Sequence, residues 1–214
     1  RIQQPDEQLV TLFQQALQLP TLAAKILVAR GFQTVEEAQA FLHMDEQVVH
    51  DPFLMHGMKE AVERIRQAIE QQQSILVYAD YDSDGITSAT VLKSALVELG
   101  ANVTHVIPNR FIDGYGPSER LFRQAAEDGV QLIITVDNGI AGNGPIAVAK
   151  ELGLDVIVTD HHEPAGTLPE ADVIIHPRIP EGQYPFGELA GVGVAFKLAH
   201  ALLGRFPEHL VEFV

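Results

Sequence analysis

The stretch Leu76-Val-Tyr-Ala-Asp-Tyr-Asp-Ser-Asp-Gly-Ile-Thr-Ser-Ala89 ends an apolar run with three carboxylates, which lie two residues apart and are followed by a glycine. Residues two apart in an extended chain share a face, so Asp80, Asp82 and Asp84 can point into one crevice. The glycine allows the backbone to turn sharply after them. The stretch therefore predicts a strand, an acidic turn, and a helix that begins near Ile86.

Four further apolar runs resemble the first in length and composition. Each is too short for a helix and rich in β-branched residues, which is typical of a strand. Amphipathic patterns between the first four runs predict helices near residues 89–99, 118–127 and 146–152. The alternation predicts an α/β fold, a parallel five-stranded sheet with helices on both faces. The predicted strands are 75–79, 103–107, 132–136, 156–159 and 173–175.

The first part of the chain has a different pattern. Its apolar residues follow helical spacing and no strand is predicted, so a small helical segment precedes the sheet. Thr21 and Thr34 stand where helix N-caps belong, and Glu37 completes a capping box with Thr34. The expected domains are 1–73, a helical lead-in, and 74–214, the α/β domain.

The 214 residues carry a net charge of −15 and no cysteine. This charge argues against a broad basic face for nucleic acid, but it is compatible with a narrow groove whose carboxylates bind divalent cations. Without cysteine, a metal must have oxygen and imidazole ligands. No apolar run approaches the roughly 20 residues of a membrane span and no secretory signal opens the chain, so no membrane contact and a cytoplasmic location are expected.

Acidic and imidazole side chains also follow the third and fourth predicted strands. Asp137 follows the third strand, and Asp160, His161 and His162 follow the fourth. Because the ligand site of such a sheet lies outside the carboxyl ends of its strands, these groups meet the three carboxylates of the first strand. Carboxylates packed this closely repel one another unless cations neutralise them. The set predicts two Mn²⁺ or Mg²⁺ ions that assist phosphoryl displacement.

The aspartates of the first strand admit other interpretations. They open like a calcium-binding EF-hand loop, but the twelfth position is Val91, where that loop needs a glutamate. They also resemble the aspartyl nucleophile turn of haloacid-dehalogenase-type phosphatases, which have no use for paired histidines after the fourth strand. One aspartate at a strand end is often only a turn former or a helix cap. Five aspartates and two histidines on one edge favour a metal site.

Two glycine-bearing loops complete the predicted edge. After the second strand, Arg110 can contact a phosphate and Tyr115 can stack or hydrogen-bond, although an ordinary loop is the alternative. Gly191 and Gly193 open a final helix whose amides can receive a phosphate, but tight helix packing explains the pair equally well. The remaining histidines, at positions 43, 50, 56, 105, 176, 200 and 209, are interpreted as surface or core residues.

Four motifs in this order resemble the DHH phosphoesterase superfamily, which is named for the triplet Asp160-His161-His162. The other three are residues 80–85, residues 108–110 with 114–116, and residues 136–139. The resemblance covers nearly the whole chain and is greatest to the bacterial single-strand exonucleases of that superfamily. One departure is His176 before Pro177, where the family more often has asparagine.

The resemblance implies a manganese- or magnesium-dependent 5′-to-3′ exonuclease that acts on single-stranded DNA with a 5′ end in recombination and repair, with a helicase and a single-strand-binding protein as partners. It also implies a further metal-binding aspartate and a second catalytic lobe beyond the end of this sequence. The implied metal ligands are Asp80, Asp82, Asp84, Asp137 and His161; the catalytic residues are Asp82, Asp84, Asp137, His161 and His162; the substrate-binding residues are Asn109, Arg110, Tyr115, Asp160 and His162.

Other activities within the superfamily stay open. One is a phosphodiesterase for short oligonucleotides or cyclic dinucleotides, and another is an inorganic pyrophosphatase, which carries a histidine before the aspartates where this chain has Tyr78. A third alternative is a non-catalytic scaffold. Such relatives usually lose metal ligands, and those within this chain are present.

Overall fold

The computed structural model describes residues 6–42, 49–164, 166–179 and 181–214. His43, interpreted from the sequence as a surface or core residue, lies outside them. The chain forms two compact units, Arg1–His50 and Asp51–Val214.

The first unit contains three short helices, α1 (Glu7–Leu17), α2 (Thr21–Ala29) and α3 (Val35–Leu42). Each is amphipathic, and their apolar faces enclose a small core of their own. The buried residues of this core are Val10, Phe13, Ala24, Leu27 and Ala38.

One of the two predicted helix caps in this unit is confirmed. The N–H of Glu37 donates to the hydroxyl of Thr34 over 3.2 Å, and the N–H of Thr34 donates back to the Glu37 carboxylate over 3.3 Å. This reciprocal pair is a capping box. The prediction that Thr21 is the N-cap of α2 was wrong, because Pro20 occupies that position. The Thr21 hydroxyl instead accepts a hydrogen bond from Gln14 Nε2 over 2.9 Å.

The second unit contains the sheet and the remaining helices. Its strands are β1 (Ser74–Ala79), β2 (Asn102–Val106), β3 (Leu132–Val136), β4 (Asp155–Thr159) and β5 (Val173–Ile175). Its helices are α4 (Met58–Glu70), α5 (Ser83–Glu98), α6 (Glu119–Glu127), α7 (Asn143–Glu151) and α8 (Gly191–Leu203), with 3-10 turns at Pro52–Leu54 and Glu208–Phe213.

The five strands form one parallel sheet in the order β2-β1-β3-β4-β5. In this register Tyr78 of β1 lies between Val106 of β2 and Thr135 of β3. The fold predicted from the sequence is therefore confirmed. The strand order reverses between β1 and β3, which is the position where sheets of this kind bind ligands.

Helices cover both faces of the sheet because side chains alternate along buried strands. Ile75, Val77 and Ala79 of β1 pack with α4, α5 and α8 on one face. Leu76 and Tyr78 pack with α6 and α7 on the other. The two apolar layers cover the faces of the sheet and leave its carboxyl edge to polar groups.

Helix α4 belongs to the second unit by its packing. Met58, Ala61 and Ile65 are fully buried in the layer beneath the sheet. The boundary between compact units thus lies between His50 and Asp51, ahead of the position 73/74 expected from the first strand. Helical periodicity predicts a helix here but does not show which core the helix joins.

Among the helices of the described residues, none is long and apolar enough to cross a membrane.

Candidate metal centre

The predicted ligands gather at the carboxyl edge because the sheet ladder continues into them. The N–H of Asp80 donates to Val136 O over 3.3 Å, and the N–H of Asp137 donates to Thr159 O over 3.0 Å. The N–H of Asp160 donates to Ile175 O over 3.2 Å. Asp80, Asp137 and Asp160 therefore occupy neighbouring places along one edge, and all three are almost fully buried.

Two sets of ligand atoms lie at this edge, each with its atoms within 4.8 Å of one another. One set is Asp80, Asp82 and Asp137, and the other is Asp137, His161 and His162. Asp137 belongs to both. A carboxylate common to two ligand sets is the arrangement expected of a two-ion centre, in which the ions lie about 4 Å apart.

Asp137 is held in an unfavourable environment. It has φ of 61°, a left-handed conformation that is uncommon for a residue other than glycine. Its side chain is 1% exposed, and its Oδ1 lies 3.1 Å from His161 Nε2 without the geometry of a hydrogen bond. Burial, with added repulsion from Asp84 and Asp82, raises the pKa of Asp137 to about 8. A bound cation would relieve both the repulsion and the unpaired oxygen.

Asp80 and Asp82 flank the turn into α5. Burial raises the pKa of Asp80 above its ordinary value. Asp82 caps α5, since its carboxylate accepts from the Gly85 N–H over 3.0 Å. This cap starts the helix at Ser83, three residues before the predicted Ile86. Gly85 is needed for close packing, because a Cβ there would lie 2.7 Å from the carbonyl carbon of Asp80.

Asp84 is anchored by the N-terminus of α8. Its two carboxylate oxygens accept from the N–H groups of Gly191 and Val192 over 2.8 and 2.7 Å. These amides therefore bind a carboxylate of the chain. The sequence analysis had offered a phosphate as their ligand. Asp84 Oδ2 lies 3.5 Å from His161 Nε2, so Asp84 borders the metal centre, and its role as a metal ligand stays a prediction.

Asp160 orients the two histidines. Its Oδ1 accepts from the N–H of His161 over 2.7 Å and from Nδ1 of His162 over 2.7 Å, and its Oδ2 accepts from the Ile140 N–H over 2.9 Å. Burial alone would raise the pKa of Asp160, but these hydrogen bonds hold it below its ordinary value. Asp160 thus acts through His162 in this structure, and the prediction that it contacts substrate stays untested.

The hydrogen bond to Asp160 also sets the protonation of His162. The bond to this carboxylate raises the pKa of His162, and burial opposes the shift. Because Nδ1 donates to Asp160, the neutral ring presents Nε2 as an acceptor, 3.1 Å from the hydroxyl of Tyr115. Asp160 therefore fixes which ring nitrogen stays available to other partners.

Replacing Asp160 by asparagine is expected to lower the pKa of His162. The substitution removes the negative charge that favours the imidazolium and leaves the burial that disfavours it. An NMR titration of the imidazole C–H signals in the presence of EDTA measures the shift. An unchanged or raised pKa would show that Asp160 does not control His162.

Two residues that the sequence analysis did not select as site residues, His176 and Arg178, support the loop that carries His161 and His162, called here the histidine loop. Nε2 of His176 donates to the carbonyl of His162 over 2.8 Å, and its Nδ1 accepts from the Arg178 N–H over 3.0 Å. The Arg178 guanidinium donates to the carbonyl of His161. His176 is thus neutral with its proton on Nε2, and burial lowers its pKa. It follows β5 at the same edge, so the strand-end rule could have found it.

The loop after β2 carries the predicted substrate contacts. The Arg110 guanidinium lies over the Tyr81 ring, with 5.1 Å to the ring centroid. The side chain of Asn109 is used within the loop, because its Oδ1 accepts from the Phe111 N–H over 3.0 Å. Burial, with the nearby Asp80 and Asp160, raises the pKa of Tyr115 to about 12. The structure thus brings Arg110 and Tyr115 to the centre's border, and their contacts with substrate stay predictions.

Comparison with known proteins gives concordant matches. The chain is 54% identical over 211 residues to the single-stranded-DNA-specific exonuclease RecJ of Bacillus subtilis (strain 168), a match that covers 99% of this chain and 27% of the relative. A crystal structure of exonuclease RecJ bound to manganese is 36% identical with a TM-score of 0.66, covering 74% of this chain and 41% of that one.

A crystal structure of RecJ from Thermus thermophilus in complex with Mn²⁺ is 30% identical with a TM-score of 0.72, over 98% of this chain and 30% of the other. The chain thus spans about a quarter to two fifths of the length of these relatives. The model of the DHH family, N-terminal domain, matches residues 74–213, which include the whole sheet and both ligand sets. The chain therefore belongs to the DHH family.

Proposed function

We propose that this chain is the metal-binding region of a single-stranded-DNA-specific exonuclease, which hydrolyses phosphodiester bonds from a 5′ end with two Mn²⁺ or Mg²⁺ ions. The observation that carries the proposal is the pair of ligand sets that share Asp137. The names of the relatives, RecJ exonucleases at up to 54% identity among those compared, support the choice of substrate.

The chemistry of the ligands fits these cations. The sets contain carboxylate oxygens and imidazole nitrogens and no thiolate, a combination that suits manganese and magnesium. The buried, unpaired Oδ1 of Asp137 and its raised pKa are what a ligand site shows when its charge is not compensated. When bound, the two ions would supply activation of water and charge neutralisation at the leaving oxygen.

The residues of the chain have separate tasks in this proposal. Asp160 raises the pKa of His162 and so favours the imidazolium, whose Nε2–H can donate to an oxygen of the scissile phosphate. The α8 amides hold Asp84 at the border of the centre. Arg110, stacked on Tyr81, contributes a positive charge for a substrate phosphate. A helicase and a single-strand-binding protein are the proposed partners on the family resemblance alone.

The test is a nuclease assay with a polypeptide extended to the length of the RecJ relatives. Manganese-dependent release of mononucleotides from a 5′-phosphorylated single strand, with much slower turnover of duplex DNA, is the expected result. A dinucleotide, a cyclic dinucleotide and pyrophosphate are assayed alongside. Preference for one of these over the long strand would favour the small-substrate alternative, and no turnover of any would favour the scaffold.

A further inference from the structure

The loop between β2 and α6 carries Arg110 in a tight turn. The carbonyl of Asn109 accepts hydrogen bonds from the N–H groups of Ile112 and Asp113 over 2.9 and 2.8 Å. These bonds close residues 109–113 into one turn, called here the Arg110 turn. They fix its internal shape, whereas its place relative to the sheet and the metal centre depends on contacts with other parts of the chain.

The carboxylate of Asp113 connects the Arg110 turn to α6. Its Oδ2 accepts from the N–H of Asn109 over 2.9 Å, at the start of the turn. Its Oδ1 accepts from Nε and Nη2 of Arg120 over 3.0 and 2.6 Å and from the hydroxyl of Ser118 over 3.3 Å. One oxygen therefore binds the turn and the other binds the beginning of α6, and the Asp113 side chain is only 2% exposed.

The hydrogen bonds keep the Asp113 carboxylate ionised. Burial alone would raise the pKa of Asp113, but the bonds from the Arg120 guanidinium and the Asn109 N–H hold it below its ordinary value. An ionised carboxylate accepts at both oxygens and donates nothing, which matches the donors on its two sides. An asparagine would turn an NH₂ group towards one set of these donors, so it cannot replace the carboxylate.

The other end of the same loop is anchored separately. The hydroxyl of Tyr78, in β1, donates to the carbonyl of Gly116 over 3.0 Å, and the Tyr78 side chain is fully buried. This bond fixes the backbone beside Tyr115 without using Asp113. Loss of the Asp113 carboxylate would therefore release the Arg110 turn and leave the Tyr115 end of the loop attached to the sheet.

Arg110 depends on its turn for its position. Its guanidinium lies over the rings of Tyr81 and Phe111, at 5.1 and 5.8 Å from their centroids. Phe111 is 91% exposed and belongs to the same turn, so it provides no anchor outside the turn. Contacts between a cation and a ring are weak at exposed sites. The Tyr81 contact therefore needs the Asp113 anchor beside it to hold the guanidinium at the border of the centre.

We infer that Asp113 is a positioning residue that acts through Arg110: together with Arg120, it holds the Arg110 turn where the guanidinium can contact a substrate phosphate. The inference rests on the proposed function, in which Arg110 makes that contact. Both oxygens of Asp113 are used within the chain, so Asp113 itself binds neither substrate nor metal. Its role concerns the binding of the strand, and neither metal affinity nor the chemical step.

The test measures KM and kcat on a 5′-phosphorylated single strand, with manganese and the polypeptide extended to the length of the RecJ relatives. Arg110→Ala is expected to raise KM about tenfold or more, the effect of one hydrogen bond to a charged group. Asp113→Asn is expected to raise KM about fivefold to tenfold and to leave kcat unchanged, as loss of a uniform binding contact does. In the Arg110→Ala background, Asp113→Asn should raise KM no further.

Asp155→Asn is the matched control. Asp155 also pairs with an arginine, Arg64, over 2.7 Å, but it lies at the amino end of β4, opposite the edge that carries the ligands. This variant should keep the wild-type KM and kcat even where its Tm falls. Arg120→Met breaks the Asp113 ion pair from its exposed side and carries the test if Asp113→Asn does not fold. It should also raise KM, and only while Arg110 is present.

The outcomes separate this inference from the proposed function. An unchanged KM for Asp113→Asn, an equal rise in KM with and without Arg110, or a loss of kcat or manganese affinity in its place would overturn the positioning role and leave the exonuclease standing. An unchanged KM for Arg110→Ala would overturn the phosphate contact and the inference with it. No turnover by the unsubstituted polypeptide would overturn the proposed function itself.

Discussion

Asp137→Asn is expected to abolish binding of the second manganese ion and to lower nuclease activity by more than about 100-fold. The substitution keeps the shape of the side chain and removes the charge that both ligand sets share. Loss of a group that merely supports a ligand already reduces metal affinity or activity by about 10–100-fold, so loss of a shared ligand should exceed this. Calorimetry gives the number of ions bound, and the single-strand assay gives the activity.

The same substitution should stabilise the metal-free chain at neutral and alkaline pH. The pKa of Asp137 is about 8 in the folded chain and 3.8 ordinarily, so the folded state binds this proton more tightly than the unfolded state. Stability therefore falls as pH rises from 3.8 to about 8, because over this range the unfolded chain releases a proton that the folded chain retains. Asparagine removes this dependence, and each gain of 1 kcal/mol raises the Tm by about 2–4 °C at this size.

Thermal unfolding in EDTA at several pH values measures this effect. The Tm of Asp137→Asn should exceed that of wild type by the largest margin at pH 8. The two Tm values should match below about pH 4, where the wild-type carboxyl is also uncharged. Asp128→Asn is the matched control, since Asp128 lies at the surface, where its carboxylate accepts a hydrogen bond from Gln124.

A variant at position 137 that still binds two ions would show that the two sets are not joined through this residue.

Gly191→Ala should damage the centre without removing any ligand. A Cβ at position 191 would lie 2.6 Å from Cβ and Cγ of Asp137 and closer still to its Oδ1. The N–H of the same residue donates to Asp84, so a shift of α8 that relieves the clash would also weaken that anchor. Overpacking of this kind destabilises by about 1–3 kcal/mol, and a displacement of about 1 Å at a catalytic group lowers activity about 100-fold.

Gly193→Ala is the control for this prediction. It makes the same change two residues further along α8, where the new Cβ would lie 3.1 Å from the terminal Cδ2 of Leu189, a side chain that can move. Manganese affinity, Tm and nuclease activity are measured for both variants. If Gly191→Ala retained wild-type values for all three, close contact between α8 and Asp137 would not be essential to the centre.

The architecture of the sheet could be predicted from local pattern. Each β-branched run and each amphipathic stretch can be recognised from residues that are close together in the sequence. A chain that alternates strands and helices can adopt only a few topologies. Asp80, Asp137 and Asp160 could be placed together for the same reason, since each follows a parallel strand and such strands end at one edge. Four of the five predicted metal ligands, Asp80, Asp82, Asp137 and His161, therefore needed no tertiary information, whereas the structure adds His162 to a ligand set and places Asp84 outside both sets.

Local pattern was less informative about helix ends. The start of α5 at Ser83 depends on a hydrogen bond from the Gly85 N–H to the Asp82 side chain, which the apolar spacing does not reveal. The compact unit that α4 joins depends on which core buries Met58 and Ile65, and an amphipathic helix fits any apolar partner.

The order of strands and helices can be derived from short-range periodicity, and the groups at the carboxyl edge follow from where each strand ends. Three contacts could be found only from the packed structure: the amides of α8 bind Asp84, Gly191 packs against Asp137, and His176 supports the histidine loop. The first two contacts join residues far apart in the chain. Their geometry depends on how α8 packs beneath the sheet, which no local pattern specifies.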